Sequence, residues 1–312
     1  MKRSVIKKFI LFLIAVKSFS CSPEISVLVK NAIDSYNEGK YLTTLFFSEQ
    51  ALLENPEDKD ALLIAAKAHL KLEEYENADN YLDRLSLLSD NPEIFFIKSQ
   101  IKIGLEDYET ALIYLIKYFE KDSKRKNELA YFNIAYCYYQ LGNYEKALEN
   151  YLMYSKLNPK DSETLLNIAY LYGYMGSSDS SVAYYNKVLS FDPTNYNALY
   201  NRSVEYQIKK NYKLAIADLE LLSQFYPENT DVLMDLAKLK IKEKKYFGAI
   251  NDLTKLIKLD SLNAEAYFLR GKILLDLHRN FSACNDFLKA GELGYFEAYE
   301  MIRIYCLKKY KN

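Results

Sequence analysis

The chain has 312 residues, half of them apolar and 27% charged, with nine Gly, six Pro and no Trp beside 30 Tyr and 16 Phe. So few turn formers exclude an all-β, a collagen-like or a disordered chain and leave a mostly helical protein with much aromatic bulk to bury. The formal charge is −1, but the first 20 residues hold five bases and no acid; the rest carries 36 basic against 42 acidic side chains, a balance of −6 that leaves no footprint for a phosphate backbone and sets nucleic acid aside as a partner.

Residues 1–20 read as a secretory signal: the bases Lys2, Arg3, Lys7 and Lys8, an apolar stretch from Phe9 to Val16, then small residues before Cys21. Eight apolar residues are too few to span a bilayer, which takes about 20. The segment resembles a bacterial lipoprotein signal cut before Cys21, with Ser18-Phe19-Ser20-Cys21 as a relaxed lipobox of the kind spirochaetes use. Ser18 stands where Leu is usual, Phe19 is large and Lys17 lies close. The resemblance implies acyl chains on Cys21, a short tether at 21–24 and a body held near the membrane. Plain secretion and an uncleaved segment are the alternatives. Of the other cysteines, Cys137 sits among apolar residues as a small core side chain. Cys284 and Cys306 could pair in an oxidising compartment, and their spacing leaves that open.

One phrase then recurs along the chain: a polar or glycine turn, Tyr, two residues, a small residue, an apolar helix. The anchors are Tyr41, Tyr75, Tyr108, Tyr144, Ser178, Tyr212, Tyr246 and Asn280, and three residues after each lie Thr44, Ala78, Ala111, Ala147, Ser181, Ala215, Ala249 and Ala283. Pro56, Pro159, Pro193 and Pro227 punctuate the units. Apolar residues at i, i+3, i+4 and i+7 in each half predict two amphipathic helices, whose small crossing residues let the backbones approach. No single pair can bury its apolar face, so neighbours must stack to complete the core. The lengthened spacing near Lys121 and Lys126 reads as a longer loop.

A period of 34 with this pattern resembles the tetratricopeptide repeat, most fully over 128–161, where Ala135, Tyr138, Gly142, Tyr144, Ala147, Tyr151 and Pro159 fall on signature positions. Units starting at 162, 196 and 230 follow in register. The resemblance implies an all-α, right-handed superhelical solenoid of about eight helix-turn-helix repeats over 25–291. A capping helix is expected over 294–310, with Tyr295, Phe296, Ala298, Tyr299, Ile302 and Tyr305 on one apolar face and Lys308, Lys309 and Lys311 near its end.

Motifs for catalysis, nucleotide binding or metal ligation are missing, so neither enzyme activity nor a cofactor or metal is expected. His69 and His278 lie far apart and read as surface or inter-helix residues. In the tetratricopeptide family the first helix of each repeat lines an inner groove. Carried onto this chain, that face holds Phe132, Asn133, Tyr136 and Tyr139, then Leu166, Asn167, Tyr170 and Tyr174, then Tyr200 and Asn201. Asn offers a donor and an acceptor to a peptide backbone and Tyr a broad contact with a polar tip, which suits a partner segment laid along the groove. The same residues could instead serve only to pack the repeats. Lys238, Lys242 and Lys272 are candidate contacts for an acidic segment. The function expected is that of a lipid-anchored adaptor that binds protein segments in the bacterial cell envelope, facing the periplasm from the outer or inner membrane. A surface-displayed ligand- or host-binding lipoprotein is the alternative.

Overall fold

The computed structural model describes residues 26–122 and 128–307. The signal, Cys21 and the tether at 21–24, most of the 121–126 loop, and Lys308, Lys309 and Lys311 lie outside them. Among the described residues, seventeen α-helices and no strand are present. They come as seven hairpins, two helices between the third and fourth of these, and a cap: α1 (Val27–Asn37) with α2 (Tyr41–Glu54), α3 (Lys59–Lys71) with α4 (Tyr75–Leu88), α5 (Glu93–Gly104) with α6 (Tyr108–Lys121), then α7 (Leu129–Gln140) and α8 (Tyr144–Leu157) in succession, α9 (Ser162–Tyr174) with α10 (Ser178–Phe191), α11 (Tyr196–Ile208) with α12 (Tyr212–Phe225), α13 (Thr230–Lys242) with α14 (Tyr246–Leu259), α15 (Ala264–Asp276) with α16 (Asn280–Glu292), and α17 (Phe296–Met301).

Each anchor read from the sequence is the first residue of the second helix of its repeat. Two residues before it the backbone turns left-handed in all eight cases, at Gly39, Glu73, Glu106, Gly142, Gly176, Lys210, Lys244 and His278. There the first helix ends in a six-to-one bond, such as Glu74 N–H to His69 C=O at 2.9 Å and Lys245 N–H to Lys240 C=O at 2.7 Å, which satisfies carbonyls the helix itself cannot. Between hairpins, Pro56, Pro159, Pro193 and Pro227 each precede by two residues an N-cap, Asp58, Asp161, Asn195 or Asn229, whose side chain accepts amide protons of the next first turn.

The eight small residues three after the anchors are all fully buried, and in the seven hairpins they lie where the two paired helices pack. The chain divides into two compact units, Met1–Leu141 and Gly142–Asn312. In the first, Leu62, Leu82, Leu85, Ile97 and Ile101 form one cluster and Phe96, Leu115, Tyr118, Ile134 and Cys137 another. In the second, successive clusters centre on Leu165 and Tyr185, on Leu199 and Leu219, on Leu233 and Leu253, and on Phe268 and Phe287. Stacking thus builds a core from hairpins that could not each build one.

A buried carboxylate recurs every 34 residues in the second unit. Asp218 and Asp286 each take two hydrogen bonds from one guanidinium, of Arg202 and Arg270, at 2.6 to 2.9 Å. Asp252, between them in sequence, finds Leu236 in place of the Arg and is paired by Lys240, one helical turn further on, at 2.8 Å. Burial opposes the charge of Lys240, but its bonds to Asp252 and Glu220 outweigh that and raise its pKa.

The C-terminal cap falls within the segment 294–310 expected to form it, and its described part runs to Leu307. After α17 the chain widens into a π-turn at Ile302–Cys306, and Cys306 is disulfide-bonded to Cys284 of α16. Ala298 is fully buried, and Tyr295 and Ile302 pack with Phe268 and Phe287 as the apolar face requires. Phe296, Tyr299 and Tyr305 do not join them and are 82%, 54% and 49% exposed. The wider turn carries Cys306 rather than Tyr305 to the packed side, and the Tyr299 hydroxyl lies over the edge of α16, donating to the Gly291 carbonyl at 2.9 Å.

Candidate functional site

The residues assigned to the groove fall in both units. In the first, α7 carries Phe132, Asn133, Tyr136 and Tyr139, all partly buried. Tyr136 meets the ring of Tyr108 edge-on at 5.9 Å. Asn133 lines a cavity of about 360 Å³ with Lys71, Tyr75, Gln100 and Gly104, and its buried Nδ2 has no hydrogen-bond partner.

In the second unit, α9 presents Tyr170 and Tyr174, 47% and 62% exposed, with Asn167 half-buried one turn before. Their rings stack at 6.4 Å, and Tyr174 also meets Tyr144 at 4.6 Å. The two rings therefore stand in fixed directions while keeping much of their surface in water, which lowers the entropy cost of covering them. On α11, Asn201 is half-buried and Tyr200 is already engaged: it stacks on Tyr196 at 5.9 Å and its hydroxyl donates to Asp235 at 2.8 Å. That bond to a carboxylate, with burial, pushes the Tyr200 pKa up to about 12.

Beside Tyr200 lies a cavity of about 390 Å³ lined by Asp231, Met234, Asp235, Lys238 and Glu265 among others. Lys238 is paired with Glu265 at 2.9 Å, so three carboxylates face one ammonium. Lys242 sits over the Tyr212 ring at 4.3 Å and Lys272 over Phe268 at 5.6 Å. Each of the three lysines expected to receive an acidic segment thus has a neighbour of its own, and the Lys238 cavity favours a basic group by its charge. The carboxylates at 231, 235 and 265 were legible as repeat positions of the same helix faces, but only the fold brings them to one cavity.

His69 is buried, 2.5 Å from a Glu74 oxygen and stacked on Tyr81; its bond is the main reason the Glu74 pKa is lowered. His278 occupies a left-handed turn. Both have structural places. Among the described residues no group of His, Cys, Asp or Glu is arranged to hold a metal, and no helix is long and apolar enough to cross a membrane.

Residues 128–161 and 162–195 each match a model of the tetratricopeptide repeat, with the unit boundaries read from the sequence. The chain superposes on the C-terminal part of a TPR repeat-containing protein from Cytophaga hutchinsonii with a TM-score of 0.65 at 16% identity, over 75% of this chain and 97% of that one. It superposes on YrrB, described as a TPR protein with an unusual peptide-binding site, with a TM-score of 0.52 at 21% identity, over 64% of this chain and 97% of that one. No curated protein sequence matches it. Hairpin geometry, the 34-residue period and the two family matches agree: the chain is a tetratricopeptide-repeat protein.

Proposed function

We propose that this protein is a membrane-anchored adaptor of the bacterial cell envelope that holds segments of partner proteins on the first-helix faces of its repeats and catalyses nothing itself. A tetratricopeptide-repeat fold implies peptide or protein partners. The observation that carries the reading here is the pair Tyr170 and Tyr174, held ring to ring yet largely exposed where the family places its groove. Packing alone gives no reason to leave two oriented aromatics in water. The peptide-binding site named for YrrB, similar in fold, adds to this reading.

Export and anchoring rest on the lipoprotein-like signal ending at Cys21. The Cys284–Cys306 disulfide supports export, since such bonds persist in oxidising compartments. Fractionation of cells expressing Cys21→Ala tests the anchor: the protein is expected to become soluble and its signal to be processed slowly, and a variant that stays wholly membrane-bound contradicts the lipoprotein reading. For the groove, Tyr170→Ala and Tyr174→Ala are expected to weaken partner binding while changing the melting temperature little. Early melting with unchanged binding would make both residues packing residues.

A further inference from the structure

In four repeats the anchor aromatic leans on the first helix of the next repeat. Tyr75 packs on Gly104, Tyr108 on Tyr136, Tyr144 on Tyr174, and Tyr212 lies under the Lys242 ammonium. The fifth repeat has Ser178 instead, and Val204 and Ile208, the residues in register with those contacts, are left 38% and 63% exposed.

Two further departures fall at the same place. Position 173 is Gly where the other repeats carry Tyr36, Leu70, Ile103, Tyr139, Gln207, Ile241 and Leu275. Position 205 is Glu where the second to fifth and the last two repeats bury Ala68, Ile101, Cys137, Leu171, Leu239 and Ile273. The two compensate: a Cβ on Gly173 would collide with Glu205 Oε1, so the carboxylate occupies the space the glycine leaves. Gly173 lies between Tyr170 and Tyr174 on one face of α9, and Val204, Glu205 and Ile208 share a face of α11. A buried carboxylate thus lies against Gly173, with the exposed apolar side chains Val204 and Ile208 on the same face of α11, a constellation called the notch below.

Glu205 is only 7% exposed, and among the described residues its Oε2 has no hydrogen-bond partner. Asp218, Asp252 and Asp286 each have a cation; among the described residues Glu205 has none. A carboxylate buried without a partner costs stability, and sites that break a local rule at such cost are where function is expected.

We propose that this notch receives a lysine or arginine side chain of a bound partner segment. The cation pairs with Glu205 over Gly173, the methylene stem lies along Val204 and Ile208, and the Tyr170 and Tyr174 rings flank it. The cavity beside Tyr200, with its three carboxylates, extends the same preference for basic segments. This assignment rests on the groove reading above and specifies the partner's chemistry.

The test selects a phage-displayed random dodecapeptide library on the intact protein and measures the affinity of the winners by fluorescence anisotropy. Winners are expected to share one basic residue, and norleucine in its place should weaken binding tenfold or more on the wild-type protein. Glu205→Gln should cause a similar loss and make the norleucine change nearly neutral. Glu205→Leu, which restores the residue type of the other repeats, should raise the melting temperature while abolishing the preference. Winners without a shared basic residue, or a norleucine penalty equal in wild type and Glu205→Gln, overturn the notch and leave the groove standing. Failure to select any peptide sensitive to Tyr170→Ala or Tyr174→Ala overturns both. The norleucine arm uses only wild-type protein, so it reads out even where a Glu205 variant fails to fold.

Discussion

Five of the eight hairpin turns place a side-chain-bearing residue at φ between 56° and 60°, a conformation that glycine adopts without steric cost. The exposed Lys244 is one of them, and neither Lys238, Lys240 nor Lys242 relies on it. Lys244→Gly is therefore expected to stabilise the protein by about 0.5–1 kcal/mol, and Gly142→Ala, at the matching turn, to destabilise it by about 1 kcal/mol, both measured by urea unfolding. The Cys137 thiol is a second test at this scale. Burial pushes its pKa up to about 12, so at neutral pH it is a thiol within the core. Iodoacetamide should leave it unmodified in native protein and alkylate it in urea; rapid native labelling contradicts its place in the core. These turns were legible where glycine marks them, at 39, 142 and 176, and hidden at Glu73, Glu106, Lys210, Lys244 and His278, where the anchor three-letter phrase alone carries the register.

At the scale of elements, the crossing residues tie each hairpin together. Ala147 and Ala215 are fully buried, so Ala147→Leu or Ala215→Leu should cost about 1–3 kcal/mol by overpacking. Hydrogen exchange should rise in the flanking repeats of the same unit, and protection unchanged there contradicts shared stacking. The Arg270–Asp286 pair makes a sharper case. Asp286 is 6% exposed and receives both guanidinium bonds, so Asp286→Ala strands the cation of Arg270. Because Arg270 keeps some contact with solvent, about 2 kcal/mol is expected in equilibrium unfolding, below the cost of a fully buried pair. The helices, their anchors and their crossing residues could be read from the sequence because each repeats in register. The cap was legible as an amphipathic helix, but its π-turn has no periodic signature and the Cys284–Cys306 bond needs a contact between elements that spacing does not supply. Glu205 was visible as a charged residue in a column of apolar ones, a signal that emerges only when the repeats are compared position by position.

For the whole molecule, the claim is that repeats whose second helices serve packing present their first-helix faces to partner segments. The sequence supplied the candidate face through the family resemblance, and the side chains then separated its members: Tyr170 and Tyr174 keep about half or more of their surface exposed, Tyr200 is tied to Asp235, and Lys238 to Glu265. Anchoring through Cys21 would concentrate that surface at a membrane without altering it. The most direct measurement is site-specific photo-crosslinking in intact cells, with a photoreactive phenylalanine placed in turn at Tyr170, Tyr174 and Val204, and at the exposed Glu149 and Lys255 of second helices as controls. Discrete, saturable adducts with the same partner from 170, 174 and 204 and none from 149 or 255 are the predicted result. Adducts confined to 149 and 255, or equal from both sets, would contradict a binding surface on the first helices.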